Sequence, residues 1–104
     1  KPVLEAFRVW DEGKDAWAEM GDTATVSRGA RIRIRIMPAE GEKRDLKVRL
    51  IREGTVIKEI PLRNGLDIEL FDEYLNNAGK TYYRIDISGI LLSNPIFVTV
   101  KGRL

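Results

Sequence analysis

Arg31-Ile32-Arg33-Ile34-Arg35-Ile36 is the stretch that decides the fold class of this chain. Strict alternation of apolar and charged residues over six positions is typical of a half-buried β-strand, because successive side chains of a strand point to opposite faces. A helix of the same sequence would spread both residue types around its whole circumference. The pattern therefore predicts a strand with its isoleucines in a core and its arginines in solvent.

The same alternation recurs along the chain, and turn residues separate the runs. Glu53-Gly54 joins two runs at hairpin distance, predicting strands near Leu46–Arg52 and Val56–Pro61. Seven or eight short antiparallel strands at this spacing predict an all-β, immunoglobulin-like Greek-key sandwich. Only Leu70–Leu75 is expected to form a helical turn. The remaining predicted strands are Val3–Val9, Thr23–Ser27 and runs with inward residues Leu66, Ile68 and Leu70, then Tyr83, Ile85 and Ile87, and finally Ile96, Val98 and Val100.

The length of 104 residues fits one domain, so we expect a single sandwich over residues 1–104. The chain starts at Lys1 rather than at a methionine, and we expect it to be a fragment of a larger protein. No signal peptide or membrane-spanning run is visible. The compartment stays open between the cytoplasm and the exterior of a prokaryotic cell.

Composition limits the chemistry that the chain can perform. It contains no histidine and no cysteine, which removes the commonest general base, the commonest zinc ligands and any disulfide. Ser27, Ser88 and Ser93 have no general base at a motif spacing. We therefore expect no catalytic residue, no cofactor and no bound metal, and we expect the domain not to be an enzyme.

The charge of the chain is dense but nearly balanced, with 18 basic and 16 acidic residues and a net charge of +2. Nucleic-acid binding usually needs a concentrated basic face. We therefore expect no nucleic-acid partner and no membrane partner, and the sequence does not predict an oligomeric state.

The arginines of the alternating stretch are the first candidate surface. Arg31, Arg33 and Arg35 would stand about 7 Å apart along one sheet face. They could bind an anion, or they could pair across the sheet with Asp67 and Glu69, which an immunoglobulin-like strand order would place beside them. Cross-strand pairing is the favoured interpretation.

Trp10 and Trp17, on either side of the loop Asp11–Asp15, are the second candidate surface. Exposed aromatic rings beside polar loops can stack on sugars. The favoured interpretation is that one ring closes the end of the core and the other packs under the loop. The acidic residues of this loop and of Asp72-Glu73 lack the regular spacing of a calcium loop, so we expect solvated loop ends.

Three further expectations concern single side chains. Tyr83 should face the core with its hydroxyl bonded to nearby backbone, as in the tyrosine corner of Greek-key sandwiches. The strand carboxylates should fall mainly on outward positions, where nothing raises their pKa. Several apolar residues out of phase with the core could form an interface patch or pack in loops, namely Phe71, Ile90, Leu91, Leu92 and Phe97.

The last third of the chain resembles a known family. Gly79-Lys80-Thr81-Tyr82-Tyr83-Arg84-Ile85 and Leu91-Leu92-Ser93-Asn94-Pro95-Ile96-Phe97-Val98 are similar to the final strands of the C-terminal sandwich in PHP-type metal-dependent hydrolases, the polymerase and histidinol phosphatase superfamily. Met20-Gly21-Asp22-Thr23 resembles the segment that leads into the core strands of that sandwich.

The resemblance implies that an upstream barrel carries the metal ligands of a phosphoesterase, and none of those ligands falls on this chain. It implies a non-catalytic accessory domain that packs on or positions an upstream catalytic domain in the same chain. The alternative is an independent carbohydrate- or surface-binding module.

Overall fold

A computed structural model describes residues 2–102, all of whose regular structure is β-strand. The predicted domain of residues 1–104 also includes Lys1, Arg103 and Leu104, which lie outside the described residues. The strands are β1 (Val3–Asp11), β2 (Ala16–Ala18), β3 (Thr23–Val26), β4 (Ala30–Met37), β5 (Leu46–Arg52), β6 (Thr55–Leu62), β7 (Leu66–Asp72), β8 (Gly79–Ile87), β9 (Leu91–Leu92) and β10 (Ile96–Val100).

The strands form two sheets that pack as a sandwich, which confirms the predicted fold class. The first sheet has the order β2-β1-β4-β7, and the second has the order β3-β10-β8-β5-β6, with β9 beside β8. β4 and β7 are neighbours in one sheet, while β5, β8 and β10 lie in the other, as in an immunoglobulin-like order. The expectation of seven or eight antiparallel strands is wrong in its details. Residues 2–102 form ten strands, and β3 and β10 pair in parallel while the other pairings are antiparallel.

The core lies between the sheets, where the alternating residues point inward as predicted. Ile32, Ile34 and Ile36 are all 0% exposed, and burying each one contributes about 1.5–3 kcal/mol. The inward residues of β5, β8 and β10 are buried as well. Leu66, Ile68 and Leu70, the inward apolar residues of β7, are only half-buried, because β7 is the last strand of its sheet.

The β5–β6 hairpin follows the prediction closely. Its two-residue turn consists of Glu53 and Gly54, with φ of 48° and 85°. Positive φ at both central residues is what a type I′ turn requires, and its twist matches that of the flanking strands. The glycine adopts this conformation without the steric cost that a Cβ would bring.

The expectation of a helical turn over Leu70–Leu75 is wrong. Leu70, Phe71 and Asp72 complete β7, paired with β4, and a simple turn follows at Glu73 and Tyr74. The alternation of β7 continues through Asp72, whose Cα partner is the buried Ala30. Strand pairing therefore extends to the end of the sheet and leaves no room for a helix.

Candidate functional site

The predicted cross-strand pairing of the three arginines is confirmed on the outer face of the first sheet. Arg31 Nε lies 3.1 Å from Glu69 Oε2, and Arg33 Nη2 lies 2.6 Å from Asp67 Oδ1. Arg35 Nε lies 3.0 Å from Glu5 Oε1 on β1. Each such exposed pair contributes about 0.2–1 kcal/mol. The arginines thus form an ionic ladder that links β1, β4 and β7.

Trp10 and Trp17 are brought together with Arg31, and we call these three residues the Trp–Arg cluster. Trp10 on β1 faces Trp17 on β2, with ring centroids 5.2 Å apart and planes at 80°. The Cζ atom of Arg31 lies 5.1 and 4.9 Å from the two ring centroids. At such sites a cation–π contact contributes about 0.5–1 kcal/mol.

The expectation that one tryptophan closes the core and the other packs under the loop is wrong. β1 continues to Asp11, so its alternation turns Val9 and Asp11 inward and Trp10 outward. Trp17, the Cα partner of Trp10, lies on the same outer face, and both rings are half-buried. The rings cover the surface of the first sheet beside Arg31.

Asp11 is a buried hydrogen-bond acceptor and not the solvated loop residue that the sequence suggested. It is 3% exposed, and its Oδ1 accepts the backbone N–H groups of Gly13, Lys14 and Thr25 at 2.9, 3.3 and 3.1 Å. The carboxylate therefore holds the β1–β2 turn and ties β3 to the first sheet. Among the described residues, no three acidic side chains converge to hold a metal ion.

The expectation of a solvated loop end at Asp72 is wrong, because this carboxylate is only 7% exposed and lies at the end of β7. We call Arg52, Asp72 and Tyr83 the Asp72 cluster. The Tyr83 hydroxyl donates to Asp72 Oδ2 at 2.6 Å, and Arg52 Nη1 pairs with the same oxygen. The backbone N–H of Tyr74 donates to Asp72 Oδ1 at 3.3 Å. The cluster joins β7 in the first sheet to β5 and β8 in the second.

The tyrosine-corner expectation for Tyr83 is therefore half correct. The ring is fully buried as predicted, but its hydroxyl binds a carboxylate instead of nearby backbone. Asp72 follows Leu70 in the inward phase of β7 and reaches the hydroxyl from the facing sheet. A charged residue at an inward strand position was the signal that could have revealed this cluster.

Burial has a clear electrostatic effect within the Asp72 cluster. It raises the pKa of the Tyr83 phenol far above its ordinary value, and the bond to Asp72 raises it further. The bond to Asp72 also raises the pKa of Arg52. Tyr83 is thus held as a protonated donor and Arg52 as a cation. This arrangement suits a structural lock between two sheets better than it suits proton transfer at neutral pH.

The outer face of the second sheet carries a band of apolar residues, of which three are exposed and two are half-buried. Phe97 is 44% exposed, and it lies beside its Cα partner Tyr82. Val56 is 49% exposed beside its partner Ile51. Leu92, on β9, is 60% exposed. We call this set the apolar face, and its residues are Ile51, Val56, Tyr82, Leu92 and Phe97.

Arg84 connects the two halves of the apolar face. Its Cζ lies 5.7 Å from the Tyr82 ring centroid, and its Cα partner on β5 is Ile51. Because direct cross-strand partners on one face are neighbours, Phe97, Tyr82, Ile51 and Val56 form a continuous diagonal with Arg84 between them. Arg84 is the charged residue on this diagonal, and the ion pairs of Arg49 with Glu59 and Asp86 lie beside it on the same face of the sheet.

The five apolar residues expected out of phase with the core separate into three groups. Leu92 and Phe97 are exposed on the apolar face. Ile90 and Leu91 are half-buried and pack against the core, so they fit the loop-packing alternative. Phe71 is exposed on the other sheet, where its ring lies over Gly29.

Residues 2–102 contain no helix that could span a lipid bilayer.

Comparisons with known proteins found no relative of this chain. No protein-family model, no curated protein and no solved structure matches the chain.

Proposed function

We propose that this chain is a non-catalytic accessory domain that packs on, and positions, a catalytic domain in the same polypeptide. The observation that carries the proposal is the apolar face, where three large side chains are about half exposed or more. An exposed apolar band on a sandwich is typical of a surface that another protein surface covers. The resemblance to the C-terminal sandwich of PHP-type hydrolases supports the same role.

The buried polar groups support a structural rather than a catalytic role. Asp11 and Asp72 are the carboxylates most removed from water, and both are already bonded to groups of the domain itself. Burial keeps the Tyr83 phenol of the Asp72 cluster protonated, so this phenol does not act as a base near neutral pH. The catalytic groups of the proposed parent protein would lie in the neighbouring domain.

Hydroxyl-radical footprinting of the full polypeptide, beside the isolated chain, tests this proposal. We expect the side chains of Tyr82, Leu92 and Phe97 to lose most of their reactivity in the full polypeptide. Tyr74 is 76% exposed in the turn after β7 and should react equally in both. Equal reactivity of the apolar face in both samples, or a reading frame that encodes no second domain, would contradict the proposal.

A charge substitution gives a second test with a matched control. Phe97→Asp should leave the isolated domain folded, because the ring is 44% exposed and surface substitutions usually change stability by about 0.5 kcal/mol or less. In the full polypeptide it should separate the two domains, seen as faster limited proteolysis between them. Phe71→Asp, on the opposite sheet, is the control and should leave proteolysis unchanged.

The alternative function, carbohydrate or surface binding through Trp10 and Trp17, has weaker support. A sugar stacks on a free ring face, and here the Arg31 guanidinium lies against both rings. Tryptophan fluorescence distinguishes the two functions. A sugar ligand should protect the rings from a soluble quencher, whereas an accessory domain should show the same quenching with and without sugars.

A further inference from the structure

The free edge of β7 is the longest regular edge strand of the sandwich. β7 pairs with β4 over seven consecutive residues without a register shift. On its other side, no strand in residues 2–102 pairs with it. Leu66–Asp72 contains no proline, and its backbone groups on that side are open to another strand. Native proteins usually interrupt such an edge with a bulge, a proline or an inward-pointing charge.

β6, the corresponding edge of the second sheet, carries all three of these interruptions. The register with β5 shifts between Leu50 and Ile51, so Ile57 is left without a Cα partner. Lys58 is paired with the buried Leu50 and places a charge on the inward side of the strand. Pro61 removes a backbone donor. On β7 the one inward charge is Asp72, which lies at the end of the strand and is bonded to Arg52 and Tyr83. The contrast indicates that β6 is protected from strand pairing, whereas β7 is open to it from Leu66 to Phe71.

A cleft between β6 and β7 leaves room for side chains of an added strand. Its volume is about 370 Å³, and apolar residues such as Leu50, Ile57 and Leu70 line it. Ile68 and Leu70 point into the sandwich and pack against its core but stay partly exposed, since no strand of residues 2–102 covers this edge. A strand paired with β7 would place alternate side chains over them and close this side of the core.

The charges on β7 define which strand fits. Asp67 and Glu69 point outward, and their side chains remain 51% and 44% exposed although β4 supplies Arg31 to Glu69 and Arg33 to Asp67, with Arg35 Nη1 4.0 Å from the other Asp67 oxygen. Room for a further cation is therefore greater at Glu69 than at Asp67. A carboxylate has about four acceptor positions, so each can accept a further cationic partner from the free side. A strand with arginine or lysine at outward positions is therefore complementary to this edge.

A second copy of the chain is not complementary to it. Antiparallel pairing of two β7 strands about Ile68 would place Asp67 directly opposite Glu69, and like charges at opposed positions are destabilising. The alternating pattern that does fit is present in the chain itself. β4 presents its arginines outward and its isoleucines inward, and it already pairs with the other side of β7.

We propose that the free edge of β7 binds an extended segment of a partner protein in which basic and β-branched residues alternate. The segment adds a fifth strand to the first sheet, with main-chain hydrogen bonds providing affinity and alternate side chains providing specificity. Its basic side chains pair with Asp67 and Glu69, and its apolar side chains enter the cleft beside Leu70. This site is separate from the apolar face and does not depend on the accessory role.

The test uses a synthetic peptide, acetylated and amidated, of sequence Arg-Ile-Arg-Ile-Arg-Ile. We expect the peptide to slow hydrogen exchange of alternate backbone amides within Leu66–Asp72 by at least about tenfold, measured by NMR. The same peptide with alternate amides methylated cannot complete the ladder, and it should bind at least about tenfold more weakly. Glu-Ile-Glu-Ile-Glu-Ile should not bind.

Variants separate strand pairing from attraction to the acidic residues alone. Asp67→Asn with Glu69→Gln should weaken binding at least about tenfold, since both complementary charges are lost. Glu59→Gln removes one carboxylate from the protected strand β6 and should leave binding unchanged. Equal binding of the methylated peptide, absence of protection in β7, or a dimer formed through β7 would each overturn the proposal.

Discussion

Asp72→Asn is expected to destabilise the domain strongly, because it removes the charge that Arg52 and Tyr83 share. The Asp72 side chain is 4% exposed and that of Arg52 is 25% exposed. Removing one partner of a fully buried ion pair costs about 3–5 kcal/mol. Since Arg52 keeps part of its hydration, we expect a loss of about 2–4 kcal/mol. That is a large share of the roughly 5–15 kcal/mol typical of a domain.

The measurement is equilibrium unfolding in urea, followed by circular dichroism. With a slope of about 1–3 kcal/mol per molar urea, the midpoint should fall by roughly 1–2 M. Asp45→Asn, in the exposed loop before β5, is the control and should change stability by about 0.5 kcal/mol or less. If Asp72→Asn behaved like this control, the Asp72 cluster would not be the lock between the sheets.

Three further predictions concern stability. Burial raises the folded-state pKa of Tyr83 above the value of about 10 in the unfolded chain. The contribution of this phenol to the free energy of unfolding is therefore complete below pH ~10 and falls by about 1.4 kcal/mol per pH unit above it. Urea unfolding should show that Tyr83→Phe removes this alkaline loss; an unchanged slope would contradict the assignment. Ser93→Ala leaves the Ile85 N–H, which donates to Ser93 Oγ at 2.8 Å, without its partner, and calorimetry should show a loss of about 1–3 kcal/mol; a neutral result would mean that another acceptor replaces the hydroxyl. Gly29→Ala should lower the free energy of unfolding in urea by about 1–2 kcal/mol, because φ at this position is 69°. The loss should be the same in a Phe71→Ala background, and its disappearance there would assign it to contact with that ring instead of to backbone strain.

Alternation of residue types predicted the fold because it records burial directly. The isoleucines of β4 and the inward residues of β5, β8 and β10 lie where their phase placed them. The pairing of Arg31 and Arg33 with β7 was also predictable, since an immunoglobulin-like order fixes which strands are neighbours. These features depend on local pattern and on topology.

The buried carboxylates were not predicted, because their partners are distant in sequence. Asp72 meets Arg52, 20 residues earlier, and Tyr83, 11 residues later, on strands of the facing sheet. Asp11 likewise accepts the N–H of Thr25 on β3. Both aspartates stand in the inward phase of their strands, and a polar residue in that phase indicates a buried bond without naming its partner.

The tryptophans were misplaced for a different reason. The loop between Trp10 and Trp17 is a tight hairpin turn, so both residues belong to paired strands rather than to a loop. Strand phase then places both rings on the outer face, next to Arg31. Treating the acidic stretch as a loop hid the extension of β1 and with it the orientation of Trp10.

The parallel pairing of β3 with β10 also determines how the domain responds to mechanical force. Four residue pairs join the strands, and hydrogen bonds from Lys101 to Val26 and from Gly102 to Ser27 extend the contact. Tension between the chain entering β3 and the chain leaving β10 pulls the two strands in opposite directions along their axes. These bonds are then loaded together in shear instead of opening one after another. Force applied between residues just before β3 and just after β10 would therefore meet resistance that is governed by the rate of unfolding rather than by the equilibrium stability.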